Sequence, residues 1–132
     1  MPTIYNPELT ITTHRPQGRA TVIVSCDVEF SDVEVNTMNV LGLQYTLSCE
    51  VLNKDLLDED PVVTYHDRTF SRPPFDAQRY YHVVFDSYET MYLLHERLVG
   101  KDKLVAQLKL RNEETKDEIT SRSDVIAVDL AA

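Results

Sequence analysis

The sequence predicts an all-β domain with one short helix, folded as two antiparallel sheets. Two long alternating runs are the first observation. Over residues 19–30, Ala20, Val22, Val24, Cys26, Val28 and Phe30 point one way, and Thr21, Ser25, Asp27 and Glu29 point the other. Over residues 41–53, Leu41, Leu43, Tyr45, Leu47, Cys49 and Val51 alternate with Gly42, Gln44, Thr46, Ser48 and Glu50. Successive strand side chains face opposite sides, so each run describes a strand with one dry face and one wet face. Secondly, shorter strand-prone runs recur between polar or proline-rich connections. Thirdly, 132 residues with 42% hydrophobic and 27% charged content suffice for one domain with a core, spanning residues 1–132.

Each element follows from local chemistry. Pro2, Pro7 and Pro16 punctuate residues 1–18, and Thr10, Ile11, Thr12 and Thr13 favour extended backbone. Proline cannot donate to a ladder, so this segment is expected to be an N-terminal arm or an edge strand. The two long runs are expected to form one hairpin, with a bulge near Ser31 and Asp32 and a turn over residues 36–39. The register that sets Cys26 against Cys49 also sets Phe30 against Tyr45, Val28 against Leu47 and Val24 against Val51. The cysteines then read as reduced core residues, with a cross-strand disulfide as the alternative.

Residues 54–61, KDLLDEDP, form a charged loop that delivers the chain to a strand over residues 61–70. Pro73 and Pro74 make residues 71–78 a loop, and residues 79–85, RYYHVVF, are a strand. Asp86 and Glu89 have capping-box spacing, and Met91, Leu94 and Leu98 share a helical face before Gly100, which predicts a helix over residues 88–99. Leu104, Ala106, Leu108 and Leu110 alternate within residues 103–111, a polar turn covers residues 112–117, and residues 119–130 close the domain.

This gives about seven strands. Their number and patterning are similar to the immunoglobulin and fibronectin type III sandwiches, and that resemblance implies a two-sheet antiparallel architecture. It stops at patterning, because the chain has no tryptophan and its two cysteines lie only 23 positions apart.

Composition bounds the partners. With 22 acidic against 13 basic residues and a net charge of -9, the chain is poorly suited to phosphate backbones or anionic membranes, so neither nucleic acid nor membrane is an expected partner. The first residues lack a basic segment followed by an apolar one, so the cytoplasm is the default expectation, although a mature secreted form would look the same.

Catalytic and metal signatures are sparse. Asp55, Asp58, Glu59 and Asp60 supply oxygen ligands in a loop, and a Ca2+ or small-molecule site using Asp58, Glu59 and Asp60 is the alternative reading, although their spacing matches no calcium loop. His66 with Asp67, and His82 with Asp86, suggest His/Asp pairs, but no HxH or HExxH spacing concentrates metal ligands. Neither a GxSxG elbow nor a glycine-rich phosphate loop is present, so neither enzymatic activity nor a cofactor is expected.

Tyr65, Tyr80, Tyr81, Tyr88 and Tyr92 cluster with Phe70 and Phe75 and with Arg68, Arg72 and Arg79. Tyrosine and arginine are enriched at interfaces because they join large contact area to polar ends. The expected function is therefore a non-catalytic protein-interaction or structural module. Arg68, Phe70, Arg72, Phe75, Arg79 and Tyr80 are its expected contact surface. Self-association through that loop or the edge strand accompanies this reading.

Overall fold

The computed structural model describes residues 2–54, 61–71, 77–94 and 102–130. The strands are β1 (Thr3–His14), β2 (Arg19–Glu29), β3 (Tyr45–Asn53), β4 (Pro61–Thr64), β5 (Arg68–Phe70), β6 (Tyr80–Thr90), β7 (Asp102–Asn112), β8 (Glu118–Arg122) and β9 (Ile126–Val128). Helix α1 (Asp32–Leu41) joins β2 to β3, and a single turn, α2 (Met91–Leu94), follows β6. All pairings are antiparallel. The first sheet has the order β1-β2-β6; the second has the order β4-β3-β7-β8, with β5 also on β3 and β9 also on β7.

The two long runs do not form the expected hairpin, because β2 belongs to the first sheet and β3 to the second. Where a bulge and turn were expected, Ser31 caps a helix. Its hydroxyl accepts from the Glu34 N–H at 3.2 Å, and the Glu34 carboxylate accepts from the Ser31 N–H at 2.7 Å. This reciprocal box satisfies two backbone donors that a helix start otherwise leaves open. At the other end Gly42, at φ 73°, takes the left-handed conformation and returns its N–H to the Met38 carbonyl. The helix carries the chain from one sheet to the other.

Alternation was right about faces and wrong about edges. Val24, Cys26, Val28 and Phe30 do meet Tyr45, Leu47, Cys49 and Val51 in one buried cluster, but across the interior between the sheets. Phe30 and Tyr45, expected side by side, have ring centroids 5.0 Å apart. Phe70 and Tyr81 complete this aromatic group, with Phe70 at 5.5 Å from Phe30 and 4.7 Å from Tyr81.

Among the described residues nine strands stand where about seven were expected, because two runs divide. Residues 65–67 interrupt the run at 61–70, giving β4 and β5 on the same side of β3. Residues 123–125 likewise separate β8 from β9, both on β7. The expected helix at residue 88 begins only at Met91, since Tyr88, Glu89 and Thr90 pair with Thr21, Ala20 and Arg19. Residues 95–99 of that prediction lie outside the described residues. No described helix is long and apolar enough to cross a membrane.

Candidate interaction surface

The register of the first sheet decides which side chains share its outer face. On β6, Tyr81, Val83 and Phe85 turn inward, while Tyr80, His82, Val84, Asp86 and Tyr88 are exposed. Their neighbours on β2 are Glu29, Asp27, Ser25, Ile23 and Thr21 in turn. On β1, Tyr5 faces Asp27 and His14 faces Arg19.

Three groups occupy this face. At its centre, His82 Nδ1 lies 2.7 Å from Asp27 Oδ1, and Asn6 Nδ2 donates to Asp27 Oδ2 at 3.2 Å. A carboxylate only accepts, so His82 donates from Nδ1. The bonds from His82 and Asn6 hold the Asp27 carboxyl below the usual carboxylate range. At one end, Arg79 bridges Glu29 and Asp32, each at 3.5 Å, and its guanidinium stands 5.4 Å from the Tyr80 ring centre. A hydrogen bond to Glu29 raises the Tyr5 phenol above its ordinary pKa there. At the other end, Arg19 stacks on Tyr88 at 5.3 Å, and His14 Nε2 lies 2.9 Å from Thr21 Oγ1.

Tyr80, Tyr88 and Tyr5 are 62%, 51% and 43% exposed, and Ile23 and Val84 are exposed between them. The outer face of the second sheet is different in kind. Gln107 donates to Glu50 at 3.2 Å and accepts from Arg122 at 2.8 Å, and Lys109, Arg111 and Glu118 are exposed around them. One outer face is aromatic, the other ionic.

The backbone of β6 adds a margin on which no other described strand pairs. Phe30 N–H donates to the Arg79 carbonyl at 2.7 Å, and Met91 N–H to the Gly18 carbonyl at 3.0 Å. Antiparallel pairs alternate, so these two bonds direct the odd-numbered β6 backbone groups to β2 and the even-numbered ones away from it. Arg68 Nη2 donates to the outward Val84 carbonyl at 2.9 Å, consistent with that parity. Among the described residues, β2 is the only strand paired with β6.

The expected surface is therefore divided. Arg68, Arg79 and Tyr80 are exposed, but Phe70 is only 6% exposed and belongs to the interior, because its place on β5 points at Phe30 and Tyr81. Arg72 and Phe75, and the acidic residues Asp58, Glu59 and Asp60, lie outside the described residues. Sequence reasoning paired His82 with Asp86, whereas the register pairs it with Asp27. It also missed Tyr5, Ile23 and Val84. The available signal was strand parity: from Tyr80 to Tyr88, every second residue shares one face.

No protein-family model matches the chain, and no curated protein is similar to it.

Elsewhere among the described residues, three features bear on chemistry. Burial pushes the Cys26 thiol up to about 11 and the Cys49 thiol up to about 12, so neither is a ready nucleophile near neutral pH. A cleft of about 170 Å³ beside Glu34, Tyr45 and Asn112 is small beside the roughly 300–1,000 Å³ of a typical ligand site. Among the described residues, no three His, Cys, Asp or Glu side chains are grouped to hold a metal ion.

Proposed function

We propose that this chain is a non-catalytic protein-interaction module with an immunoglobulin-like sandwich fold, and that it engages its partner through the outer face of the β1-β2-β6 sheet. The contrast between the two outer faces carries this reading. A solvated sheet face usually presents charged and short polar residues, as the β3-β7-β8 face does. The opposite face instead exposes Tyr5, Ile23, Tyr80, Val84 and Tyr88, with Arg19 and Arg79 stacked on two of the rings. Stacked arginine and tyrosine offer large, pre-ordered contact area with polar tips, the combination that dominates binding energy at protein interfaces.

The strand partition supports the fold part of the proposal. Strands one, two and six share a sheet, while three pairs with seven and seven with eight. Immunoglobulin-type sandwiches divide their strands likewise, with A, B and E on one side and C, F and G on the other.

Site-specific photo-crosslinking tests the reading. A benzophenone side chain replacing Ile23 is expected to capture a discrete protein in the native host, and the same group replacing Lys109 on the ionic face is not. Equal capture from both positions, or capture from Lys109 alone, overturns the assignment.

A further inference from the structure

We infer that the margin of β6, which no other described strand covers, is a self-recognition edge, on which a second copy of the chain adds its own β6 antiparallel across a two-fold axis at Val84. This deepens the interaction reading above by naming a partner for one border of that face.

The order of residues along the edge is nearly palindromic, Tyr80, His82, Val84, Asp86 and Tyr88. The even-numbered residues from Tyr80 to Tyr88 direct their backbone groups outward, so only they can exchange ladder bonds with an added strand, and at Val84 the Arg68 guanidinium must leave the carbonyl first. A two-fold axis at Val84 sets Val84 against its own copy, His82 against Asp86, and Tyr80 against Tyr88. Every exposed position then meets a complementary one, and the full exposed stretch is used. On the inner side the same register sets Val83 against Phe85. A shift of two residues places Val84 against Asp86 and His82 against Tyr88. A shift of four opposes Asp86 with its own copy. Of the three, the Val84-centred register is the one that sets Asp86 against a hydrogen-bonding ring instead of against valine or its own copy.

His82 suits this place. Its Nδ1 donates to Asp27 on its own sheet, and in the imidazolium form, where both ring nitrogens donate, Nε2 is the second donor for the partner carboxylate. A closed two-fold pairing of this kind is isologous and joins two three-stranded sheets into one of six strands.

Sedimentation velocity over a concentration series at roughly 0.15 M salt, where the Debye length is about 8 Å, tests the inference on the purified chain. The wild type is expected to pass from monomer to dimer. Val84→Lys opposes two ammonium groups at the axis and is expected to weaken the dimer at least tenfold, with the melting temperature of the monomer unchanged because the side chain points outward. Asp86→Lys and His82→Glu should each be largely monomeric alone. Mixed together they should form a heterodimer, since the introduced lysine then meets the introduced glutamate while His82 still meets Asp86. A wild type that stays monomeric throughout, a dimer indifferent to Val84→Lys, or a mixture that fails to associate overturns the proposal. Those results leave the crosslinking test at Ile23 standing, because Ile23 lies on the central strand and not at the edge.

Discussion

The Tyr65 hydroxyl lies 2.9 Å from Ser87 Oγ and ties the two sheets together. Tyr65 sits between β4 and β5 on one sheet, and Ser87 is on β6 of the other. Its ring packs on Phe85 with centroids 5.5 Å apart, so the hydroxyl can be removed without emptying the site. Tyr65→Phe is expected to cost about 0.5–1.5 kcal/mol in chemical denaturation, the usual net worth of such a bond. Adding Ser87→Ala should recover part of that loss, since it removes the hydroxyl left without its partner.

Phe30 is fully buried and touches the rings of Tyr45, Phe70 and Tyr81. It therefore joins both sheets through one side chain. Phe30→Ala is expected to destabilise the fold by about 3–5 kcal/mol, the range for deleting a buried phenyl group. Phe30→Leu, which keeps most of the volume, should cost much less in the same urea titration.

Stability should fall on the alkaline side. Burial, the main cause in each case, raises Cys26 to about 11 and Cys49, Tyr45 and Tyr65 to about 12. An acid whose folded pKa is raised stabilises the fold fully below its unfolded value. That contribution disappears as pH climbs through the folded value. The decline should begin near pH 9 with the thiols and deepen toward pH 12. Replacing both cysteines by alanine should flatten the first part of this limb, whatever the change in packing does to stability at pH 7.

The acid side has the opposite sign. Hydrogen bonds from His82 and Asn6 depress Asp27, and a bond from Arg111 depresses Glu113. Their contributions are present above the ordinary carboxylate range and vanish as pH falls through the lower folded values. Asp27→Asn is expected to reduce the slope of stability against pH on the acid limb, with Glu113 accounting for part of the slope that remains. An unaltered slope in acid titrations followed by circular dichroism counts against the Asp27 assignment.

Arg68 places its guanidinium on the Val84 carbonyl and 4.8 Å from the Phe85 ring centre, so it covers part of the exposed β6 margin. Charged side chains at sheet margins oppose strand addition. Arg68→Ala is therefore expected to tighten self-association several-fold by sedimentation, without requiring Arg68 to contact the second copy.

Much of this fold was legible in the sequence because burial follows a period of two. Ala20, Val22, Val24, Cys26 and Val28 were assigned to one dry face from alternation alone, and all five are buried. Pairing was not legible in the same way. Alternation fixes which side of a strand is dry but not whether the dry side meets its counterpart edge to edge or face to face, and Phe30 with Tyr45 satisfied both geometries. A local signal could have decided between them: Ser31 and Glu34 have the spacing of a capping box. Reading it as a helix start would have broken the hairpin. The contact surface was less legible still. Tyr80 and Arg79 stood out by type, whereas the role of Asp27 depends on a strand 55 residues distant in sequence.

The bulge in β1 has a consequence for the size of any assembly. Between Tyr5 and Glu8 the register with β2 shifts, with Asn6 at a positive φ of 49° and Pro7 offering no N–H. A bent strand with a missing donor is a poor template for another chain. Once two copies have joined through β6, the strands left at both ends of the combined sheet are their β1 strands. Growth of that combined sheet by further strand addition then has no regular place to continue, and a finite pair is favoured over an open fibre built on it.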